Sequence, residues 1–165
     1  SLVQWAGFLV DYAQPIYLLT DEAALPEHLR RLRSIGIDNV GGYFDVQKVQ
    51  QAGLRTQSYS SRAPQELQPR IERGEVTLLD VRALTEFQAG HIPGAEYRFL
   101  GKLLREIGNI DRSKPVVAQC QGGGRSAIAT SLLQRAGFDV TNMAGGLNAW
   151  LAAGLPLTSS HSSPA

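Results

Sequence analysis

The sequence predicts an α/β fold in which a mostly parallel, five-stranded sheet carries helices on both faces. Three observations support this prediction. Apolar segments of strand length alternate with segments of helical periodicity, the connections are short, and the runs Thr77–Val81 and Pro115–Cys120 have the length of buried strands. With 165 residues, of which 43% are hydrophobic and 19% charged, the chain has the size of one globular domain or one and a half.

The predicted elements alternate through the larger, C-terminal part of the chain. The strands are an edge strand at Gln57–Ser60, then Thr77–Val81, Glu96–Phe99, Pro115–Gln119 and Asp139–Met143. The helices are Pro64–Arg73, with a proline near its start, then Leu84–Gln88, Leu100–Ile107, Gly124–Ala136 and Leu147–Ala153. Residues 55–155 are therefore predicted to form one complete domain. The Ser-rich end, residues 156–165, is predicted to be a disordered tail.

Residues 1–54 repeat part of that domain at an offset of about 100 residues. The strand-like run Pro15–Thr20 parallels Pro115–Cys120, and the glycine pair Gly41-Gly42 parallels Gly145-Gly146. We interpret residues 1–54 as the C-terminal part of a first copy. The chain starts without Met, inside an amphipathic helical pattern, which predicts a piece of a longer protein.

Charge and cysteine content exclude several classes of function. The 16 Lys+Arg residues nearly balance the 15 Asp+Glu residues, so the chain lacks the basic field that nucleic acid or an anionic membrane requires. No apolar run reaches the roughly 18 residues of a membrane span. Cys120 is the only cysteine and there are three histidines, which excludes an internal disulfide and a closed zinc site. We expect no metal, no cofactor and a reducing compartment, the cytoplasm.

Cys120 is predicted to be the catalytic nucleophile. It ends a strand of the parallel sheet, where open α/β sheets bind ligands. The segment Gln121-Gly122-Gly123-Gly124-Arg125-Ser126 then leads into a helix. Consecutive glycines let backbone N–H groups turn inward around the sulfur, and the helix N-terminus adds partial positive charge, so both favour the thiolate. An inert buried cysteine, the alternative, has no need of three consecutive glycines.

This loop and three further motifs resemble the rhodanese family of sulfurtransferases. In the family's order, the other motifs are Leu78-Leu79-Asp80-Val81-Arg82 with Glu86-Phe87, then Gly90-His91-Ile92-Pro93-Gly94-Ala95, and Gly145-Gly146 with Ala149-Trp150. The resemblance implies a rhodanese-like fold with Cys120 as the catalytic cysteine. It also implies that Gln121 to Ser126 bind the substrate and the persulfide.

Three residues outside the loop, Asp80, Arg82 and His91, are predicted to support it rather than to react. Asp80 at a strand end is expected to brace the loop, with a helix cap or a pair with Arg82 as alternatives. His91 is expected to fix a turn through hydrogen bonds, with a general base as the alternative. By resemblance, Arg98 occupies a region that faces either the mouth of the active site or solvent.

The first copy departs from the family at the position of the nucleophile. Thr20 stands where the cysteine would, and Asp21-Glu22 begins the segment that replaces the glycines. This pattern predicts a helix N-cap instead of an anion pocket, and therefore an inactive copy. A degenerate copy before an active one resembles the C-terminal region of bacterial fusion proteins that carry a metallo-β-lactamase-fold persulfide dioxygenase in front. The resemblance implies such a domain as partner. The partial copy, with an uncovered sheet edge, predicts dimerisation or association with the missing region.

The leading hypothesis for function is sulfur transfer through a Cys120 persulfide. The donor is thiosulfate or a low-molecular-weight persulfide, and the acceptor is cyanide, sulfite, a low-molecular-weight thiol or a thiol protein. One alternative is a docking or regulatory module. Another is a cysteine phosphatase or arsenate reductase, whose loop holds five residues between cysteine and arginine, whereas four separate Cys120 from Arg125. The direction of the Arg125 side chain is left open.

Overall fold

The computed structural model describes residues 2–54 and 57–159. The chain divides into two compact units, Ser1–Gln57 and Ser58–Ala165. The division lies close to the boundary predicted between residues 54 and 55.

The first unit is a small parallel sheet with helices. Its elements are α1 (Leu2–Leu9), β1 (Ile16–Leu19), a 3-10 turn (Glu22–Ala24), α2 (Leu25–Arg33), β2 (Val40–Phe44) and α3 (Val46–Gln51). β1 and β2 are parallel, and Ala6, Leu32 and Ile37 form the core on one side. Side chains alternate along a strand, so Tyr17 and Leu19 point the other way and are 60% and 61% exposed.

The second unit is built on a five-stranded sheet. Its elements are β3 (Ser60–Arg62), α4 (Pro64–Glu72), β4 (Thr77–Asp80), α5 (Leu84–Ala89), β5 (Glu96–Tyr97), a 3-10 turn (Leu100–Lys102), α6 (Leu103–Glu106), a 3-10 turn (Ile107–Asn109), β6 (Val116–Gln119), α7 (Gly124–Arg135), β7 (Val140–Met143) and α8 (Gly146–Ala152). The strand order is β3-β7-β6-β4-β5, and every neighbouring pair is parallel. The predicted α/β fold with a five-stranded parallel sheet is confirmed.

The central strands β4 and β6 are buried along their whole length. On one side of the sheet, Leu78 and Val117 pack with Leu67 of α4 and Trp150 of α8. Because side chains alternate, Ala118 points to the opposite side, and α7 packs against β6 and β7. All strands run in one direction, so their carboxyl ends meet at one edge of the sheet. That edge positions the site described below.

Two predicted elements differ in the structure. The edge strand is Ser60–Arg62 rather than Gln57–Ser60, because pairing with β7 continues up to the residue before the N-cap of α4. The predicted helix Leu100–Ile107 is a single α-helical turn between two 3-10 turns. Leu100 and Leu103 are both fully buried, and a spacing of three residues places them on one side of a 3-10 turn.

The two glycine pairs that suggested a repeat have different positions. Gly41-Gly42 lies inside β2, whereas Gly145 is the N-cap residue of α8 and Gly146 is its first residue. A Cβ on Gly41 would come within 2.9 Å of the Tyr17 ring, so this glycine makes room for a side chain of the neighbouring strand. The duplication stays a prediction.

The C-terminal segment is hydrogen-bonded at Pro156 and at Thr158. The Trp150 Nε1 donates to the carbonyl of Pro156 at 2.8 Å. Thr158 and His91 exchange two backbone hydrogen bonds, of 2.8 and 2.9 Å. The predicted tail is therefore bonded to the domain at Pro156 and at Thr158, and the partner of Thr158, His91, is distant in sequence. Residues 160–165 lie outside the described residues.

Within the described part, no helix is long and apolar enough to cross a membrane.

Candidate active site

Cys120 follows β6 directly, at the carboxyl edge of the sheet. The strands β4 and β7 flank β6 on either side. The Cys120 side chain is 1% exposed. α7 begins four residues later at Gly124, after Gly123 with φ +95°. This backbone conformation strains any residue with a Cβ, which explains one of the three consecutive glycines. The thiol lies between a strand end and a helix N-terminus.

The loop directs hydrogen-bond donors at the sulfur. The Gly123 N–H donates to Cys120 Sγ at 3.2 Å, and the Ser126 hydroxyl lies 3.5 Å from it. Burial raises the pKa of the Cys120 thiol, but the Ser126 hydroxyl and the N–H groups of Ser126, Gly122 and Gly123 outweigh burial, so the pKa lies below its ordinary value. The thiolate is the nucleophilic form of cysteine. The loop therefore favours the reactive form by dipoles.

The start of α8 holds the loop through backbone hydrogen bonds. The Leu147 N–H donates to the Cys120 carbonyl at 2.8 Å, and the Asn148 N–H donates to the Gln121 carbonyl at 3.0 Å. The Gln121 side chain donates to Asn148 Oδ1 at 2.6 Å. A Cβ on Gly146 would lie 2.1 Å from the Cys120 carbonyl oxygen. Only glycine at this position lets the helix approach so closely. Asn148 was not among the predicted site residues, because its partner lies 27 residues away.

Asp80 and Arg82 form a buried ion pair beside the loop. They are 0% and 2% exposed, and the guanidinium donates to the carboxylate at 2.7 to 3.0 Å. Its remaining donors reach Gln121 Oε1 at 3.2 Å and the Gly90 carbonyl at 2.7 Å. Of the alternatives for Asp80, the pair with Arg82 is the one observed. Through Arg82 it connects β4 to the loop and to the turn before His91.

Arg125 is bound by Glu86, a residue that the sequence analysis did not place in the site. The guanidinium donates to both carboxylate oxygens, at 2.6 and 2.8 Å. Hydrogen bonding to Arg125 is the main cause that lowers the pKa of Glu86 to about 2. The pKa of Arg125 is raised, first by Glu86 and then by smaller interactions that include Cys120. The Arg125 side chain therefore points toward the Glu86 carboxylate on α5.

His91 lies in the turn after α5. Its Nδ1 is 2.8 Å from the Phe87 carbonyl, and its ring stacks on the Phe87 ring with centroids 3.8 Å apart. With the backbone pairing to Thr158, these contacts are those of a residue that holds a turn. The Arg98 guanidinium donates to Glu96 and to the Tyr97 carbonyl.

In the first unit, Thr20 occupies the position after β1. Asp21 lies at the N-cap of the 3-10 turn, but its side chain makes no capping hydrogen bond. The Ala24 N–H donates to the Asp21 backbone carbonyl instead, at 3.1 Å. Asp21 therefore takes the predicted N-cap position without a side-chain hydrogen bond, because the tight turn satisfies this N–H from the backbone.

The model of the rhodanese-like domain family matches residues 63–153. The chain belongs to the rhodanese-like domain family. The match begins just before α4, ends after α8, and contains all of the site described above. The first unit lies outside the match, so its interpretation as a degenerate rhodanese copy stays a prediction.

Two curated relatives match about half of the chain each. An HTH-type transcriptional regulator of Mycobacterium tuberculosis is 38% identical over 94 residues, which are 56% of this chain and 42% of the regulator. The thiosulfate sulfurtransferase GlpE of Pseudoalteromonas translucida is 34% identical over 84 residues, 50% of this chain and 80% of that enzyme. The chain thus spans less than half the length of the regulator and most of the enzyme.

Solved structures share the rhodanese-like fold. A rhodanese-related protein of Thermoplasma volcanium is 28% identical with a TM-score of 0.58, covering 61% of this chain and 98% of that one. A protein of unknown function from Rhodopseudomonas palustris, described as a possible tyrosine phosphatase, is 28% identical with a TM-score of 0.54, covering 61% and 85%. The fold is therefore common to proteins ascribed to two chemistries, and the loop must distinguish them.

Proposed function

We propose that this chain is a sulfurtransferase that carries a sulfane sulfur on Cys120. One observation carries the proposal: the thiol is buried in a loop whose N–H and hydroxyl donors lower its pKa. Similarity to a thiosulfate sulfurtransferase supports it. Such a cradle stabilises an anionic sulfur, and a persulfide on Cys120 is such an anion.

The reaction has two steps that balance without an oxidant. The Cys120 thiolate attacks the outer sulfur of the donor, so a sulfur–sulfur bond forms at Cys120 while that of the donor breaks. Sulfite leaves when the donor is thiosulfate, and a thiolate leaves when it is a persulfide. A thiophilic acceptor then attacks the outer sulfur of the enzyme persulfide and restores the Cys120 thiolate. The kinetics are expected to be ping-pong.

The setting of the reaction is part of the proposal. The donor and acceptor are small sulfur compounds, with a low-molecular-weight thiol or a thiol protein as acceptor, in cytoplasmic persulfide metabolism. A persulfide dioxygenase domain as neighbour would fit this chemistry, because both act on persulfides. His91 is assigned a structural role, and no metal is needed for either step.

The competing enzyme class is a cysteine phosphatase or arsenate reductase. The resemblance of the fold to a possible tyrosine phosphatase favours it. The loop speaks against it, since four residues separate Cys120 from Arg125 and phosphatase loops of this type hold five. In addition, Glu86 neutralises Arg125, which a phosphatase needs for the phosphoryl oxygens. A docking module remains the competing non-enzymatic function.

The test is the intact mass of the protein after incubation with thiosulfate or with glutathione persulfide. We expect a gain of one sulfur, about 32 Da, that cyanide removes and that never forms on Cys120→Ser. The variant should keep the circular dichroism spectrum of the wild type. If folded wild-type protein with a titratable thiol gains no sulfur from either donor, sulfur transfer is wrong. Turnover of an aryl phosphate would then support the phosphatase.

A further inference from the structure

We propose that Glu86 sets the donor preference of this site: by neutralising Arg125 it favours sulfur donors of low net charge, such as organic persulfides, over dianionic thiosulfate. The inference rests on the proposed sulfur transfer and specifies its substrate class. It concerns a residue that lies outside the loop and is brought to it by the fold.

Glu86 is placed to cancel the only positive charge of the loop. Between Gln121 and Ser126 the loop has a single charged residue, Arg125. Glu86 binds it through two parallel hydrogen bonds, of 2.6 and 2.8 Å, the strongest geometry for this pair. The Ala83 N–H also donates to Glu86, at 3.0 Å. This third bond fixes the carboxylate at the start of α5, so it does not swing away from Arg125.

The second guanidinium that contacts the loop is neutralised as well. Arg82 reaches the Gln121 side chain, but three of its hydrogen bonds go to the Asp80 carboxylate. Among the described residues, Arg82 and Arg125 are thus each paired with a carboxylate. Hydrogen bonds from N–H and O–H groups are the main interactions that lower the pKa of Cys120, and the paired Arg125 also interacts with Cys120. Dipoles stabilise one thiolate at short range, but they attract a distant dianion much less than a free cation does.

This arrangement works against thiosulfate in particular. The donor carries two negative charges and must approach a sulfur that is itself anionic. A free guanidinium about 4 Å from an exposed anion changes the energy by roughly 1 kcal/mol per charge in water, which is about a fivefold change in rate. A donor with one negative charge fewer loses correspondingly less when the guanidinium is paired. A simple alkyl persulfide, which carries at most one negative charge, meets this requirement.

Two donors of the same shape isolate the effect of charge. Thiosulfate is a dianion, and methanethiosulfonate is a monoanion in which a methyl group replaces one oxygen. Each transfers its outer sulfur to the Cys120 thiolate, releasing sulfite or methanesulfinate respectively, so the reaction is the same. The measured quantity is the ratio of the two rates of persulfide formation, followed by intact mass. The ratio cancels any change in the nucleophilicity of Cys120.

Glu86→Gln is the test, and Glu66→Gln is the matched control. Glu66 occupies the same place in α4 that Glu86 occupies in α5: it accepts from the Ala63 N–H and pairs with an arginine, Arg62. Both variants remove one negative charge and keep a side chain that can cap the helix. We expect Glu86→Gln to raise the thiosulfate to methanethiosulfonate ratio about fivefold, and Glu66→Gln to leave it unchanged.

The outcomes separate the two proposals. If neither donor loads the wild type, sulfur transfer itself fails. If both donors load the wild type and the ratio is the same in Glu86→Gln, the charge role of Glu86 is wrong. Should Glu86→Gln not fold, the salt dependence of the wild-type ratio decides: with both arginines paired, the ratio should stay level or rise with NaCl, because salt screens the repulsion between the dianion and the thiolate. A ratio that falls steeply with salt would mean that a free cation already selects the dianion, and would overturn the proposal.

Discussion

Replacing Gly146 by alanine should disrupt the loop through a backbone contact. Gly146 has φ +55°, and a Cβ there would meet the Cys120 carbonyl oxygen at 2.1 Å and the Gln121 carbonyl carbon at 3.0 Å. The same carbonyl oxygen accepts the Leu147 N–H at 2.8 Å. The carbonyl therefore has no room to retreat without loss of that hydrogen bond. Gly154 is a natural control, since its φ is +70° and a Cβ there would have nothing within 4 Å.

Both substitutions carry the cost of a left-handed backbone conformation. Only Gly146→Ala adds a steric overlap and a strained hydrogen bond. Alanine in the left-handed region costs about 1–2 kcal/mol at either position. At Gly146 the overlap adds roughly 1–3 kcal/mol, and the strained hydrogen bond from Leu147 adds about 0.5–1.5 kcal/mol. We expect Gly154→Ala to lose about 1–2 kcal/mol and Gly146→Ala about 2.5–6.5 kcal/mol of unfolding free energy.

Urea denaturation followed by tryptophan fluorescence measures both. Trp5 and Trp150 lie in different units, so the experiment is done in a Trp5→Phe background, where the signal reports the second unit. Where the Gly146→Ala protein folds, iodoacetamide should alkylate Cys120 more slowly at neutral pH, because a displaced loop loses N–H donors to the sulfur. Equal loss of stability in the two alanine variants would refute the close approach of α8 to the loop.

Two further predictions concern titration. Ser126→Ala removes a donor to the Cys120 sulfur, so the thiol pKa should rise. Alkylation at pH 7 should then slow by about twofold to tenfold, which corresponds to the energy of one hydrogen bond. The control Ser131→Ala removes a hydroxyl elsewhere on α7 and should leave the alkylation rate unchanged. The depressed pKa of Glu86, about 2, means that its ion pair with Arg125 stabilises the fold fully above its ordinary pKa near 4.5 and less as pH falls toward 2. Urea midpoints between pH 5 and 2 should therefore fall less steeply in Glu86→Gln, and identical slopes would contradict the ion pair.

The geometry of the Cys120 loop could be predicted from the sequence because its features are local, whereas the role of Cys120 as the nucleophile stays a prediction. A strand, a cysteine, three glycines and a helix start follow one another within a dozen positions, and strand ends and helix N-termini have known places in a parallel sheet. The loop as seen in the structure agrees with that prediction: Gly123 has a positive φ and donates to Cys120. Asp80 and Arg82 could also be placed, since only two positions separate them.

The residues that the sequence did not place come from distant parts of the chain. Glu86 lies 39 positions from Arg125, and the close contact between Gly146 and Cys120 depends on how β7 delivers α8 to the sheet edge. No periodicity encodes such a contact. The pairing of Thr158 could not be predicted for the same reason: Thr158 pairs with His91 across the chain, while its local composition is that of a tail.

The site uses two separate devices, and their separation has a consequence for mechanism. Dipoles at Gly123 and Ser126 stabilise charge on the cysteine sulfur. The guanidinium groups of Arg82 and Arg125 are bound to carboxylates. In the persulfide the negative charge moves outward by one sulfur atom, and a cradle of short-range dipoles can follow it only if its N–H groups are held at fixed positions. The close approach of Gly146 and the hydrogen bonds from the start of α8 hold the loop backbone in place. Loss of rigidity should therefore weaken the persulfide more than the thiolate, and Gly146→Ala should lower persulfide yield more than it lowers alkylation.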